Sequence, residues 1–258
     1  MIDAISLAHS ALFARLSNLA YKEPDVAGKV FKKMGYDSTF YENAGSNVYI
    51  LEGGEDIIVV CRGTEPKQWS DIKADLTIDR VPSRSGKGQV HKGFRTYTDH
   101  VWDDVKNHVL QHPDKKLWLT GHSLGAAMAT LMARRFVLDP INRHVEALFT
   151  FGSPRVGNRE YINEFNNLVT HYRWVNDGDI VTKVPFSPWY FHCGTKYHLS
   201  SAGLFSEKEK IQKKILLVGK LLIGFWRGMW NIVTSDAKDH SSDIYAQRLN
   251  YWTINSTP

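Results

Sequence analysis

The chain carries two cysteines in 258 residues, too few for the disulfide framework that staples small secreted domains. Cys61 closes the apolar run Ile57–Ile58–Val59–Val60 and Cys193 follows His192 among aromatics. Both read as free, buried thiols, which suits a reducing compartment without requiring one. No run of about eighteen uncharged apolar residues occurs, so no helix is expected to span a membrane. The opening Met1–Ile2–Asp3–Ala4 has neither a basic n-region nor an apolar h-region and is not a signal peptide as it stands. A cytoplasmic or peripheral membrane location is favoured, with secretion left open. Internal repeats, low-complexity tracts, a glycine-rich phosphate loop and zinc-type His/Cys strings are also missing. No metal or cofactor is therefore expected.

What is present describes a globular protein. Hydrophobic residues make up 43 % and charged residues 23 %, near globular averages, and the length suits one domain over residues 1–258 with a large core. Apolar residues Ile5, Ala8, Leu12, Leu16 and Leu19 recur at helical spacing. Val48–Leu51 and Ile57–Cys61 flank the turn signal Gly53–Gly54 and predict a hairpin. A helix is expected over about Gly93–His112, then a strand at Leu117–Thr120, a helix from Ala126, a strand at Ala147–Phe151 and another before Asn176. Strands alternating with helices predict an α/β fold with a mainly parallel central sheet covered by helices.

Between the Leu117–Thr120 strand and its helix lies Gly121–His122–Ser123–Leu124–Gly125. By itself Gly-x-Ser-x-Gly would arise in a chain of this length about one time in ten. Its strand–turn–helix setting is what a nucleophile elbow needs: glycines permit a sharp turn, and the following helix dipole favours charge developing near Ser123. A serine hydroxyl is a weak nucleophile and needs a base, itself oriented by an acid. The acid is expected in Val175–Asn176–Asp177–Gly178–Asp179, at the carboxyl edge of the sheet where such sites gather. One aspartate would orient the base and the other would be a solvated turn residue. Of the later histidines, His240 precedes a C-terminal helix on a late loop, whereas His192 and His198 lie in an aromatic, strand-like stretch and read as packing residues.

Several ordered strings resemble the class 3 lipases, the family of the fungal triacylglycerol lipases. They are Val59–Thr64, Ala74–Thr77, Val90–Phe94, Gly121–Gly125, Thr150–Asn158 and Arg173–Val181, with His240 at the end; the likeness runs from about residue 46 to 251. It implies an α/β-hydrolase that forms an acyl-enzyme on Ser123, with His240 as general base and Asp179, rather than Asp177, as the acid. It implies Thr64 as the second oxyanion donor beside Leu124, and a lid over about Glu65–Ala74 in which Trp69 and Ile72 could fold over the site. It implies a lipid ester substrate, acylglycerols first, with phospholipase A1 or short-chain esterase as alternatives. A catalytically silent lipid-binding protein on the same fold is the alternative of a different class.

The net charge of +5 is concentrated. Lys208, Lys210, Lys213, Lys214, Lys220 and Arg227 stand against Glu207 and Glu209 within residues 207–227. On a helix, Lys213, Lys220 and Arg227 share one stripe, and Trp226 and Trp230 belong to the apolar remainder. Residues 208–233 are thus expected to form an amphipathic helical insertion. It would either pack on the core or dock on an anionic membrane or lipid-droplet surface; a basic stripe beside Leu, Ile and Trp suits lipid better than nucleic acid.

Overall fold

The computed structural model describes residues 3–64, 79–138, 140–185, 188–200, 203–206 and 240–255. The expected lid, with Trp69 and Ile72, and the expected insertion at 208–233 lie outside the described residues.

Eight strands form the main sheet, in the order β1 (Asp37–Asn43), β2 (Ser46–Gly53), β3 (Asp56–Cys61), β6 (Lys116–His122), β7 (Ala147–Phe151), β8 (His171–Asn176), β9 (Thr195–Ser200) and β10 (Gly203–Ser206). The five central strands, β3 to β9, run parallel, and antiparallel hairpins extend the sheet at both ends. A small hairpin of β4 (Arg80–Pro82) and β5 (Gln89–His91) stands apart. Side chains on a strand alternate between faces, and the unbroken apolar run of β3 serves both. Ile57, Val59 and Cys61 join one core and Ile58 and Val60 the other.

Helices cover each face. On the first lie α3 (Lys92–Leu110), α4 (Leu124–Val137) and α5 (Arg159–Leu168), contributing Val101, Val105, Met128 and Phe165. On the second lie α1 (Ala4–Leu19), α2 (Pro24–Lys33) and α6 (Ser242–Asn255), contributing Phe13, Leu16, Phe31 and Leu249. Local sequence starts them: the Asp3 side chain caps α1 through the Ser6 N–H, Pro24 opens α2, and the Asn158 side chain caps α5 through the Tyr161 N–H. The hairpin, α1, α3 and the central strands fall where the sequence predicts. Strand β1 and helices α2 and α5 were not expected. β1 reads Asp–Ser–Thr–Phe–Tyr–Glu–Asn and is an edge strand with no fully buried residue, so it shows little of the hydrophobic alternation that marks a half-buried strand. Both cysteines are free and buried. Among the described residues, no helix is long and apolar enough to cross a membrane.

Candidate active site

The carboxyl ends of β6, β7 and β8 meet at one edge of the sheet, and each delivers part of the site. Strand β6 ends at His122 and α4 begins at Leu124, leaving Ser123 on the turn between them at φ 60° and ψ −127°. A non-glycine residue there costs about 1–3 kcal/mol, a strain that must be carried by its surroundings. The Ser123 N–H is held by the Phe151 carbonyl at 3.0 Å, and the Ser123 carbonyl accepts from the Ala126 N–H at 3.0 Å. The motif glycines are needed because Gly121 packs on the backbone of Gly125 and Gly125 packs on the backbone of Cys61 and Arg62.

Ser123 Oγ lies 2.9 Å from His240 Nε2, and His240 Nδ1 lies 3.0 Å from both oxygens of Asp179. Ser123 and Asp179 are fully buried and His240 is 8 % exposed. The structure therefore brings together the three residues singled out in the sequence, with His240 117 residues from Ser123 and 61 from Asp179 along the chain. Asp179 also accepts from the Val181 N–H at 2.9 Å and from the Tyr245 hydroxyl at 2.7 Å. Burial alone would push its carboxyl up. The facing His240 ring, with the hydrogen bonds from His240 and Tyr245, outweighs burial and holds it below the ordinary carboxylate value. Gly152, at φ +60°, makes room for this pair: a methyl group there would stand 2.8 Å from Asp179 Oδ2 and 3.0 Å from His240 Nδ1.

Two positioning groups escaped sequence reasoning. Tyr245 sits one turn into α6, where its hydroxyl accepts from the Asn176 N–H at 2.9 Å and donates to Asp179. His122 is buried, and its pKa is pulled down to about 3 by burial and by the neighbouring His240. It is thus neutral. Because the His240 carbonyl, 2.6 Å from His122 Nε2, can only accept, Nε2 carries the proton and Nδ1 accepts from the Tyr21 hydroxyl at 2.8 Å. His122 so pins the backbone that carries the triad histidine. A tyrosine five residues after His240, on the helix that follows it, was the available signal for Tyr245; nothing in the sequence marked Tyr21. Helix α1 holds the start of α6 through Asn18, which bonds Asp243 at 2.7 Å and Ser242 at 2.9 Å.

The other candidates take ordinary roles. Asp177 is 51 % exposed at its side chain and pairs with His198 at 3.1 Å. His192 meets the Thr182 carbonyl at 2.7 Å. Leu124 begins α4, so its N–H projects beside Ser123. Gly63, next to Thr64, packs against the elbow closely enough that a methyl group on it would stand 2.6 Å from the His122 carbonyl oxygen and 3.2 Å from Ser123 Cβ. The turn bearing Thr64 therefore borders Ser123. An activated hydroxyl, a base oriented by a buried carboxylate and adjacent backbone donors are the parts needed for acyl transfer.

The model of the family described as lipase (class 3) matches residues 58–189, just over half of the chain. The chain is 36 % identical over 183 residues to the toxin TseL of Vibrio cholerae, covering 56 % of this chain and 28 % of that protein. It is 34 % identical over 172 residues to a lipase of Rhizomucor miehei, covering 60 % and 45 %. It thus spans less than half the length of these curated relatives. A triacylglycerol lipase whose catalytic centre is formed by a serine protease triad superposes with a TM-score of 0.68 at 26 % identity, over 77 % of this chain and 82 % of that one. The sheet and its covering helices are the α/β-hydrolase fold.

Proposed function

This chain belongs to the class 3 lipase family, and on that premise we propose that it hydrolyses lipid esters, acylglycerols first among them, through an acyl-enzyme on Ser123. The observation that carries the reading is the buried chain of contacts from Ser123 Oγ through His240 to Asp179. In the proposed reaction Ser123 Oγ attacks the ester carbonyl carbon while its proton passes to His240 Nε2. The oxyanion is held by the N–H groups of Leu124 and Thr64, each worth about 2.7–4 kcal/mol in the transition state. His240 returns the proton to the departing alcohol. Water, deprotonated by His240, then attacks the acyl carbon, and His240 passes that proton to Ser123 Oγ as its bond to the acyl carbon breaks, releasing the fatty acid. Asp179 stays ionised and stabilises the imidazolium.

Labelling of Ser123 by a fluorophosphonate, lost in Ser123→Ala, tests the chemistry; an unlabelled folded protein would favour a silent lipid-binding protein. A panel of triacylglycerol emulsion, phospholipid vesicles and soluble short-chain esters tests the substrate. Turnover confined to the sn-1 ester of phospholipid would replace the acylglycerol reading with phospholipase A1, and turnover of soluble esters alone would replace it with an esterase. The basic and apolar residues at 208–233, including Lys213, Lys220, Trp226, Arg227 and Trp230, support docking on an anionic lipid surface. If so, replacing Trp226 and Trp230 by Ser lowers emulsion hydrolysis severalfold and spares a soluble ester. Equal loss on both substrates would assign these residues to the core.

A further inference from the structure

The sheet has a second cluster of titratable side chains, at the end remote from Ser123. Glu52 lies near the end of β2 and pairs with Ile57 at the start of β3, whereas the far end of β3 leads to the turn beside Ser123. Glu52 follows Val48 and Ile50 on the face of β2 that α3 covers. His108 is in the last turn of α3, and His112, one turn on, follows the helix end, where its N–H still bonds the Val109 carbonyl. An i, i+4 pair shares one helical face. The two imidazoles, with ring centroids 5.4 Å apart, both turn toward Glu52.

The carboxylate divides its oxygens between them. Oε1 lies 3.0 Å from His108 Nε2 and Oε2 lies 3.3 Å from His112 Nδ1. One ligand atom from each of the three residues falls within 4.8 Å of the others. Around a tetrahedral zinc ion with bonds of about 2.0–2.2 Å, ligand atoms stand about 3.4 Å apart, so small side-chain movements suffice to close the set. A second observation points the same way. Tyr41 Oη lies 2.8 Å from His108 Nδ1. With a cation in place of the proton that His108 Nε2 shares with Glu52, the ring would carry its proton on Nδ1 and donate it to Tyr41 Oη, the outer-sphere support that metal-binding histidines use. The Glu52, His108 and His112 side chains are 23 %, 12 % and 32 % exposed. The cluster is therefore ordered by packing yet open to solvent on the His112 side.

We propose that Glu52, His108 and His112 bind one zinc-like divalent cation, with water completing its shell and Tyr41 orienting His108. Two imidazoles and one carboxylate match the nitrogen and oxygen preference of zinc better than that of calcium or magnesium. The ion would tie the β2–β3 hairpin to the end of α3. Its distance from the elbow makes it a staple rather than a participant in catalysis.

The test uses chelator-treated protein titrated with zinc by calorimetry, together with its thermal unfolding. One ion per chain should bind, and zinc at about a hundred times Kd should raise Tm by roughly 5–10 °C. His108→Gln and His112→Gln should each abolish that shift, and Tyr41→Phe should weaken binding about tenfold. Co2+ should show visible absorption from nitrogen and oxygen ligands that His112→Gln removes. His112 is a third exposed, so its variant should fold, and Tyr41→Phe keeps the ring in place should His108→Gln unfold. No rise in Tm with zinc overturns the proposal. A rise that survives in His112→Gln puts the ion elsewhere and overturns it equally.

Discussion

Two aspartate–histidine pairs leave the same loop after β8. Asp179 meets His240 at 3.0 Å and Asp177 meets His198 at 3.1 Å. Separation does not distinguish them; surroundings do. The Asp179 side chain is fully buried and receives the Tyr245 hydroxyl and the Val181 N–H besides its histidine, which in turn reaches Ser123. The Asp177 side chain is half exposed, where water competes for its charge. A carboxylate orients a base when donors fix it and solvent is excluded; in water the same contact is worth little. His198 Nε2 faces the half-exposed Asp177, and its ring is buried.

The sharpest way to break this comparison is at the histidines. His240→Ala should lower kcat for a soluble ester by about 10⁶ while leaving the fold intact. His198→Ala should keep kcat within about threefold and lower Tm, because its ring is buried. At the acids, Asp179→Asn should cost about 10⁴ in kcat, since an amide favours the wrong imidazole tautomer, and Asp177→Asn less than about threefold. Steady-state kinetics with the near-UV spectrum as a folding control check both pairs. An active Asp179→Asn beside a dead Asp177→Asn would exchange the roles of the two pairs.

A smaller effect is expected where the buried pair is supported. Tyr245→Phe removes a donor from Asp179 and leaves the Asn176 N–H without its acceptor. It should cost about 10–100-fold in kcat, as for a lost hydrogen bond to a charged group, and lower stability. Unchanged kcat would mean that Val181 and His240 suffice to hold the carboxylate.

The smallest effect concerns His122, which anchors the His240 backbone. Its pKa is about 3 when folded against 6.5 for a free imidazole. Between these values the unfolded chain binds more protons than the folded one, so stability is fully present above pH 6.5 and is lost progressively as pH falls toward 3. His122→Gln should remove a slope of about 1.4 kcal/mol per pH unit from urea unfolding in that window. A slope equal to that of the parent would show that the other buried histidines, His171 and His192, account for it. The effect of Asp179 lies lower: with its folded pKa depressed, its contribution is present above pH 3.8 and lost as pH falls further.

Periodicity and short motifs determined a good part of this protein without coordinates. The run Ile57–Cys61 read as a buried strand, the string Gly121–Gly125 between strand and helix read as a tight turn presenting a serine, and residues 147–151 announced the strand beside it. These are local properties: the chain's own spacing of apolar side chains and glycines dictates them. Resemblance, not spacing, separated Asp179 from Asp177, and the burial and hydrogen bonds seen in the fold supply the physical difference between them. The edge strand β1 stayed hidden because its polar side chains carry no period. Tyr245, His122 and Tyr21 stayed hidden for another reason. Their roles depend on which hydroxyl or imidazole faces which partner across 66, 118 and 101 residues of chain. The Glu52–His108–His112 cluster was likewise invisible, being assembled from a strand end and a helix end 56 residues apart. A hydrogen bond or an ion site is a relation between atoms in space, and only the packing of α3 and α6 onto the sheet brought those atoms within reach of one another.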